Sequence, residues 1–201
     1  MTVPDAPTAV LGIRNAAVRL FFEQGYEATT LRQIATAAGL KVGSLYYHIS
    51  GKEALLADIM AQALDDLMAE AHAAAEAESA AADRLRSAVA AHIRFHAERA
   101  QEVFVGNTEL RSLSPGARTL IVAKREAYEQ FLARLIGDAA ASGHARIIDA
   151  RVHLYSLMAQ AGHVAGWYRS GGRMGLDSLG LAYSELALRG LGLGPCSSPA
   201  R

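Results

Sequence analysis

Apolar residues recur with a helical period along nearly the whole chain. Between Ala9 and Gln24, the residues Val10, Ile13, Ala17, Leu20 and Phe21 fall on one helix face, and Gly25 ends the helix. Thr30-Leu31-Arg32-Gln33 has the form of a capping box, with Thr30 as N-cap and Gln33 reaching back to it. The helix it opens is short: Ile34, Ala35 and Ala38 face inward and Gly39 stops it. A second short helix is expected between Leu40 and Ile49, with Leu45 and Ile49 in the core. At Gly51-Lys52 a much longer helix begins, and Leu56, Ile59, Met60, Ala63, Leu64, Leu67 and Met68 keep its period of about 3.6 residues. The Ala/Glu-rich run from Ala71 to Ala82 fits either a continuation of that helix or a loop.

Further helices are expected over about residues 82–100 and 103–113. Ser114-Pro115 reads as an N-cap followed by a first-turn proline, opening a helix that reaches about Ala141 and closes at Gly143. The last two helices are expected near 146–169 and 177–191, separated by Gly171-Gly172. No period-2 run of useful length and no internal repeat occurs. The fold expected is therefore all-α, in three parts. Residues 1–52 form a loose N-terminal arm (Met1–Thr8) and a three-helix head, residues 53–194 a helical body, and residues 195–201 a disordered tail.

Composition changes this picture in one respect. The formal net charge of the 201 residues is zero, which by itself argues against a nucleic-acid partner. The distribution differs: residues 28–52 carry Arg32, Lys41 and Lys52 and no Asp or Glu. A basic island in a neutral chain suits a protein that touches DNA with a small surface, although three charges are few enough to arise by chance. Cys196 is the single cysteine, so no intrachain disulfide forms. No signal peptide opens the chain and no apolar run of about 18 residues crosses it, so a cytoplasmic protein without a membrane partner is expected.

Two short helices with a turn at Gly39, packed on a preceding helix, make a helix-turn-helix. The second helix of such a unit must keep bulk away from its N-terminal turn so that its backbone can enter the major groove. Gly43-Ser44 meets that requirement. Tyr46, Tyr47 and His48 follow with hydroxyl and imidazole groups for phosphates or base edges, unless either tyrosine packs inside. Lys52 stands at a helix start, where free N–H groups and a positive charge suit a phosphate.

At these residues the chain resembles the TetR family of bacterial regulators. The resemblance runs through Phe22, Gly25, Thr29, Thr30, Ile34, Ala35, Gly39, then Ser44-Leu45-Tyr46-Tyr47-His48-Ile49 and Lys52-Glu53, about a quarter of the chain. It implies that Thr30 and Arg32 touch the backbone or groove edge, and that Lys41, Gly43, Ser44, Tyr46 and His48 lie on or beside the recognition helix. It further implies that Tyr47 and Lys52 contact phosphate. Two departures stand out. Lys41 replaces the family's frequent Ser or Thr N-cap and opposes the helix dipole, a conflict a DNA phosphate would relieve. Ser50-Gly51 replaces the usual Pro-Ser before Lys52, which should loosen that joint.

Beyond Lys52 the resemblance implies a ligand-binding and dimerisation body, hence a homodimer on a palindromic double-stranded operator, released by a small-molecule effector. The residues agree. Tyr155, Met158, Gly162, Ala165 and Gly166, with Leu179, Ala182, Leu186 and Ala187, give the last two helices apolar and small faces suited to a four-helix seam. Ligand candidates in the middle helices are His92, Phe95, His96, Phe104, Asn107, Arg111, Tyr128 and Phe131.

The segment Trp167-Tyr168-Arg169-Ser170-Gly171-Gly172 is similar to that of TetR-type repressors of steroid and fatty-acid breakdown, which sense acyl-CoA thioesters. In that reading Arg169 would meet CoA phosphates and Trp167 the adenine. In the plainer one, Arg169 caps a helix and Trp167 fills the dimer seam. A hydrophobic acid or drug-like effector is the alternative ligand, serving efflux or detoxification.

No Ser/His/Asp order, glycine-rich phosphate loop or metal cluster stands out, so neither an enzyme nor a cofactor is expected. His92 and His96 are four residues apart, a metal-compatible spacing. Ile93 rather than Glu follows His92, however, so the metalloprotease motif is missing and no metal is expected.

Overall fold

The computed structural model describes residues 6–142 and 149–193. It is all-α, as the apolar period predicts: α1 Ala6–Gln24, α2 Leu31–Ala37, α3 Val42–His48, α4 Lys52–Glu76, α5 Ala81–Glu98, α6 Ala100–Thr108, a 3-10 turn at Leu110–Ser112, α7 Pro115–Ser142, α8 Ala150–Trp167 and α9 Leu176–Gly190. No strand occurs among the described residues. The expected closure at Gly143, the expected helix start at Arg146, Cys196, the first five residues of the arm and the tail from Pro195 all lie outside them.

Several boundaries differ from expectation for local reasons. Helix α1 starts at Ala6, so Ala6–Thr8 are helix rather than arm; Pro7 sits in the first turn, where its missing N–H costs no intrahelical bond. Its buried stripe is Ala9, Ile13, Ala16, Ala17 and Phe21, while Val10 is exposed. The Ala/Glu-rich run is both of the things foreseen: α4 continues through Glu76, the chain breaks at residues 77–80, and α5 restarts at Ala81. The helix expected over 103–113 begins earlier, at Ala100, and ends at Thr108 before the 3-10 turn.

The chain divides into two compact units. The first comprises residues 1–63 and 101–123, the second residues 64–100 and 124–201. The first is thus larger than a head ending at residue 52, because it also takes in the start of α4, most of α6, the 3-10 turn and the start of α7. Its core is built from Ile13, Ala17 and Phe21 of α1, Ile34 and Ala35 of α2, Leu45 of α3, Leu56 and Ile59 of α4 and Val105 of α6. Ile49, expected in this core, is half-buried. Arg14 stitches three of these helices together: its guanidinium donates to the Ile59 carbonyl at 3.2 Å and to Glu102 at 3.2 Å. The Ser114 side chain, together with its backbone N–H, which donates to Glu53 Oε1 at 2.8 Å just before α7, draws that carboxyl below its usual range.

In the second unit α5 packs chiefly against α9 and α8. Gly180 makes the close approach possible, since a Cβ there would meet the Ala90 carbonyl oxygen at 3.2 Å and the Ala90 Cβ at 3.3 Å. Arg86 of α5 joins Glu185 of α9 at 3.3 Å across the same contact. Helix α9 ends in a Schellman motif: Gly192, at φ 75°, donates to Arg189, and Leu193 donates to Leu188.

Candidate functional site

The turn between α2 and α3 is dictated locally. Thr30 accepts the Gln33 N–H at 3.2 Å while the Gln33 side chain accepts the Thr30 N–H at 2.8 Å, so the predicted capping box is complete. At the other end Gly39 takes φ 70°, which an L side chain resists. Its N–H goes to Thr36 and that of Leu40 to Ala35, closing α2 with a Schellman motif. Leu45 then anchors α3 inward with no exposed surface. Everything else in the first turns of α3 follows from that anchor.

Gly43, Ser44, Tyr46 and Tyr47 are all exposed, Tyr46 at 59% and Tyr47 at 87%, so neither tyrosine packs in the core. Tyr47 meets His48 edge-on at 5.3 Å, which leaves His48 half-covered. Lys41 is the N-cap of α3 and its side chain makes no capping bond, the departure foreseen from the sequence. Arg32 and Lys41 are exposed and form no ion pair among the described residues. The outer surface of α2 and α3 is therefore a small, uncompensated basic tip with a side-chain-poor centre at Gly43-Ser44. The hydroxyl of Thr30 is held within the cap, donating to Gln33 Oε1 at 2.8 Å.

Lys52 behaves differently from a free phosphate clamp. Its ammonium donates to the carbonyls of Tyr26 at 2.8 Å and Thr29 at 3.0 Å, with Glu27 further off at 3.4 Å, and it stands 4.2 Å above the Tyr26 ring. It thus ties the start of α4 to the loop between α1 and α2. Inside that loop, Thr29 is buried; its hydroxyl accepts from Gln24 at 3.0 Å and donates to the Gly25 carbonyl at 2.8 Å. Lys52→Ala is expected to destabilise the first unit by about 1 kcal/mol, through the lost carbonyl and ring contacts. A melt that stays put while the salt slope of DNA binding falls by about 1 would instead return Lys52 to phosphate.

The ligand candidates do not converge on one place. Phe104, Asn107 and Arg111 belong to the first unit, where Phe104 meets Phe22 edge-on at 5.1 Å and all three are exposed. Phe95, His96, Tyr128 and Phe131 are buried in the second unit. Trp167 and Arg169 sit at the end of α8, both exposed, and Arg169 Nη1 donates to the Tyr168 carbonyl at 2.8 Å.

Only the buried group forms a cluster, and its centre is His92. Its Nδ1 lies 2.6 Å from the Tyr128 hydroxyl, its ring stacks on His96 at 4.1 Å, and its carbonyl accepts His96 Nδ1 at 2.9 Å. Burial, aided by the neighbouring His96, holds His92 well below the usual imidazole range. Burial brings His96 down to about 4 and pushes the Tyr128 hydroxyl up. Both imidazoles are therefore neutral. His92 Nε2 is fully buried and has no hydrogen-bond partner among the described residues, an omission that costs about 1–3 kcal/mol. The His92–Tyr128 bond was not foreseen from the sequence; the only hint was a pair of histidines four apart among apolar neighbours.

A capped short helix, a glycine turn and an exposed second helix place the chain among helix-turn-helix proteins. Residues 13–59 match the family model for bacterial regulatory proteins of the tetR family, and residues 78–191 match that for the tetracyclin repressor-like C-terminal domain. The HTH-type transcriptional repressor KstR2 of Mycolicibacterium smegmatis is 26% identical over 195 residues, covering 94% of this chain and 95% of the relative. A tetR-family regulatory protein from Rhodococcus RHA1 superposes with a TM-score of 0.83 at 33% identity, covering 91% of this chain and 96% of the other. The structure of AibR in complex with isovaleryl coenzyme A and operator DNA superposes with a TM-score of 0.78 at 25% identity, covering 89% and 97%. The chain belongs to the TetR family, and is a DNA-binding transcriptional regulator rather than an enzyme. No described helix is long and apolar enough to cross a membrane.

Proposed function

We propose that this protein is a cytoplasmic repressor that binds a palindromic operator as a homodimer and is released by an acyl-CoA. The observation that supports an acyl-CoA as the ligand class is the similarity, over 89% of this chain, to AibR, whose structure is a complex with isovaleryl coenzyme A and operator DNA. The exposed tip of α3, centred on Gly43-Ser44, is the groove-reading surface, with Arg32 and Lys41 meeting phosphates beside it. The exposed apolar residues Val152 and Tyr155 of α8 and Leu181 and Leu186 of α9 form the subunit seam. Arg169, exposed and outside any ion pair among the described residues, is the candidate for the CoA phosphates.

Release works through a shift between two body shapes that hold the paired heads at different spacing. Two heads on one face of the duplex must sit about 34–36 Å apart. A ligand that prefers the spread shape by about 3 kcal/mol weakens operator binding roughly a hundredfold. Helix α4 runs unbroken from Lys52 into the second unit, so it is the element that carries the change.

The test is fluorescence anisotropy of operator DNA, titrated with acyl-CoA thioesters, free CoA and the matching acids. Release by thioesters alone is expected, with a weaker response in Arg169→Ala. Silence toward every thioester would remove the acyl-CoA assignment; release by the acids alone would turn the effector into a hydrophobic acid.

A further inference from the structure

We infer that His92 is the hydrogen-bond donor that receives the acyl carbonyl oxygen of the effector, with Tyr128 and His96 fixing its tautomer. This rests on the acyl-CoA reading above and adds to it a place and a polarity of recognition.

The argument is one of proton placement. His96 Nδ1 faces the His92 carbonyl at 2.9 Å, and a carbonyl only accepts, so the His96 proton is on Nδ1. The 2.6 Å contact between His92 Nδ1 and the Tyr128 hydroxyl allows two arrangements. If His92 donated, the Tyr128 hydroxyl proton would need a second acceptor, and none of the described residues supplies one. If Tyr128 donates, both groups are satisfied by one bond. His92 then carries its proton on Nε2, the atom that is buried and without a partner. A fully buried N–H aimed at no protein acceptor calls for an oxygen from elsewhere.

The surroundings select the kind of oxygen. Tyr128 is followed at 6.2 Å by the Phe131 ring, and His96 by Phe95 at 6.1 Å, so the donor sits among aromatic faces suited to an apolar chain. Both imidazoles are neutral, and Arg99, which lies over Phe95 at 4.7 Å, is already paired with Asp66 at 2.5 Å and Glu70 at 3.5 Å. A free carboxylate would be buried here against two neutral imidazoles, with Arg99 already held by two carboxylates. A thioester carbonyl, polar but uncharged, satisfies the N–H with no such penalty.

Calorimetry with isovaleryl-CoA, octanoyl-CoA and the two free acids, together with two-bond 1H–15N spectra of histidine-labelled protein, tests this. The free protein should show a His92 Nε2–H tautomer, and its nitrogen resonances should move on addition of thioester. His92→Phe, which keeps a ring in the space but removes the donor, should bind the thioesters about tenfold or more weakly, and His92→Gln should recover part of the loss. Tyr128→Phe, which frees the tautomer, should give a smaller loss and serves if His92→Phe does not fold. The inference is overturned if neither thioester binds, or if both bind His92→Phe as tightly as wild type. It is also overturned if the acids bind as well as the thioesters, or if the His92 signals stay fixed and report a bound water only. Operator release is a separate readout. Release that survives in His92→Phe would sink this assignment and leave the acyl-CoA reading standing; thioesters that bind at His92 without releasing DNA would do the reverse.

Discussion

Ser44→Leu is expected to reduce operator binding to the level of random DNA while leaving the fold unchanged. Ser44 is exposed, its N–H is bonded to the Lys41 carbonyl at 2.9 Å, and its neighbour Leu45 supplies the whole inward anchor of α3. A larger side chain at residue 44 therefore disturbs no protein contact, and the melt should move by no more than about 0.5 kcal/mol. On DNA the outcome differs. The first turn of a recognition helix approaches base edges to hydrogen-bond distance, and a leucine there holds the backbone out of the groove. Specific affinity typically exceeds non-specific by about a thousandfold or more, and that margin is what should vanish in a gel shift. Gly43→Ala is the companion: a Cβ at Gly43 meets no protein atom within 4 Å, so any loss it causes must arise at the DNA. Normal operator binding by Ser44→Leu would mean that α3 is not the helix in the groove.

What was legible in the sequence was what neighbouring residues determine. The Thr30–Gln33 box and the Gly39 turn depend on contacts within about four residues, so the residue types at those positions are enough to specify both. The burial of Leu45 and the missing cap at Lys41 were equally local. Three things were not. The acceptors of Lys52 are carbonyls 23 to 26 residues earlier, reached only because the chain folds back on itself. The His92–Tyr128 bond joins α5 to α7 across 36 residues, and periodicity places each residue on an apolar face without saying what lies opposite. The break between α4 and α5 falls in an alanine-rich run with no Gly or Pro, where helix propensity is high throughout and gives no stop signal. The scattered ligand candidates have the same origin. Nothing in the pattern of α6 and the 3-10 turn says that Phe104, Asn107 and Arg111 belong to the first unit while Phe95, His96 and Tyr128 belong to the second.

Leu186→Asp is expected to convert the proposed homodimer into monomers and, with it, to lose operator binding. Leu186 is 57% exposed on α9, and Leu181 at 55%, Tyr155 at 49% and Val152 at 63% accompany it on α8 and α9. On α8 the opposite face is buried, through Leu154, Leu157, Ala161 and Val164; on α9 the buried Leu179, Ser184 and Leu188 lie on the arc between Leu181 and Leu186. Leu186 borders a cleft lined by Leu85, Ile136 and Leu157 but is more than half exposed, so an aspartate there costs little in one chain. In a two-fold seam the substitution appears twice, and each carboxylate would be buried without a partner, a change of several kcal/mol. Gly162→Arg should act alike, since a Cβ at Gly162 meets nothing within 4 Å among the described residues beyond its own stretch of helix. Leu188→Asp is the contrasting control: Leu188 is 1% exposed, so that variant should unfold rather than dissociate. A monomer carries one head, and losing the second removes the gain from linked half-sites, about a hundredfold to ten-thousandfold in operator affinity. Light scattering at micromolar concentration should read a dimer for wild type and a folded monomer for Leu186→Asp. A monomeric wild type, or a Leu186→Asp dimer that binds operator as wild type does, would place the seam elsewhere on the body.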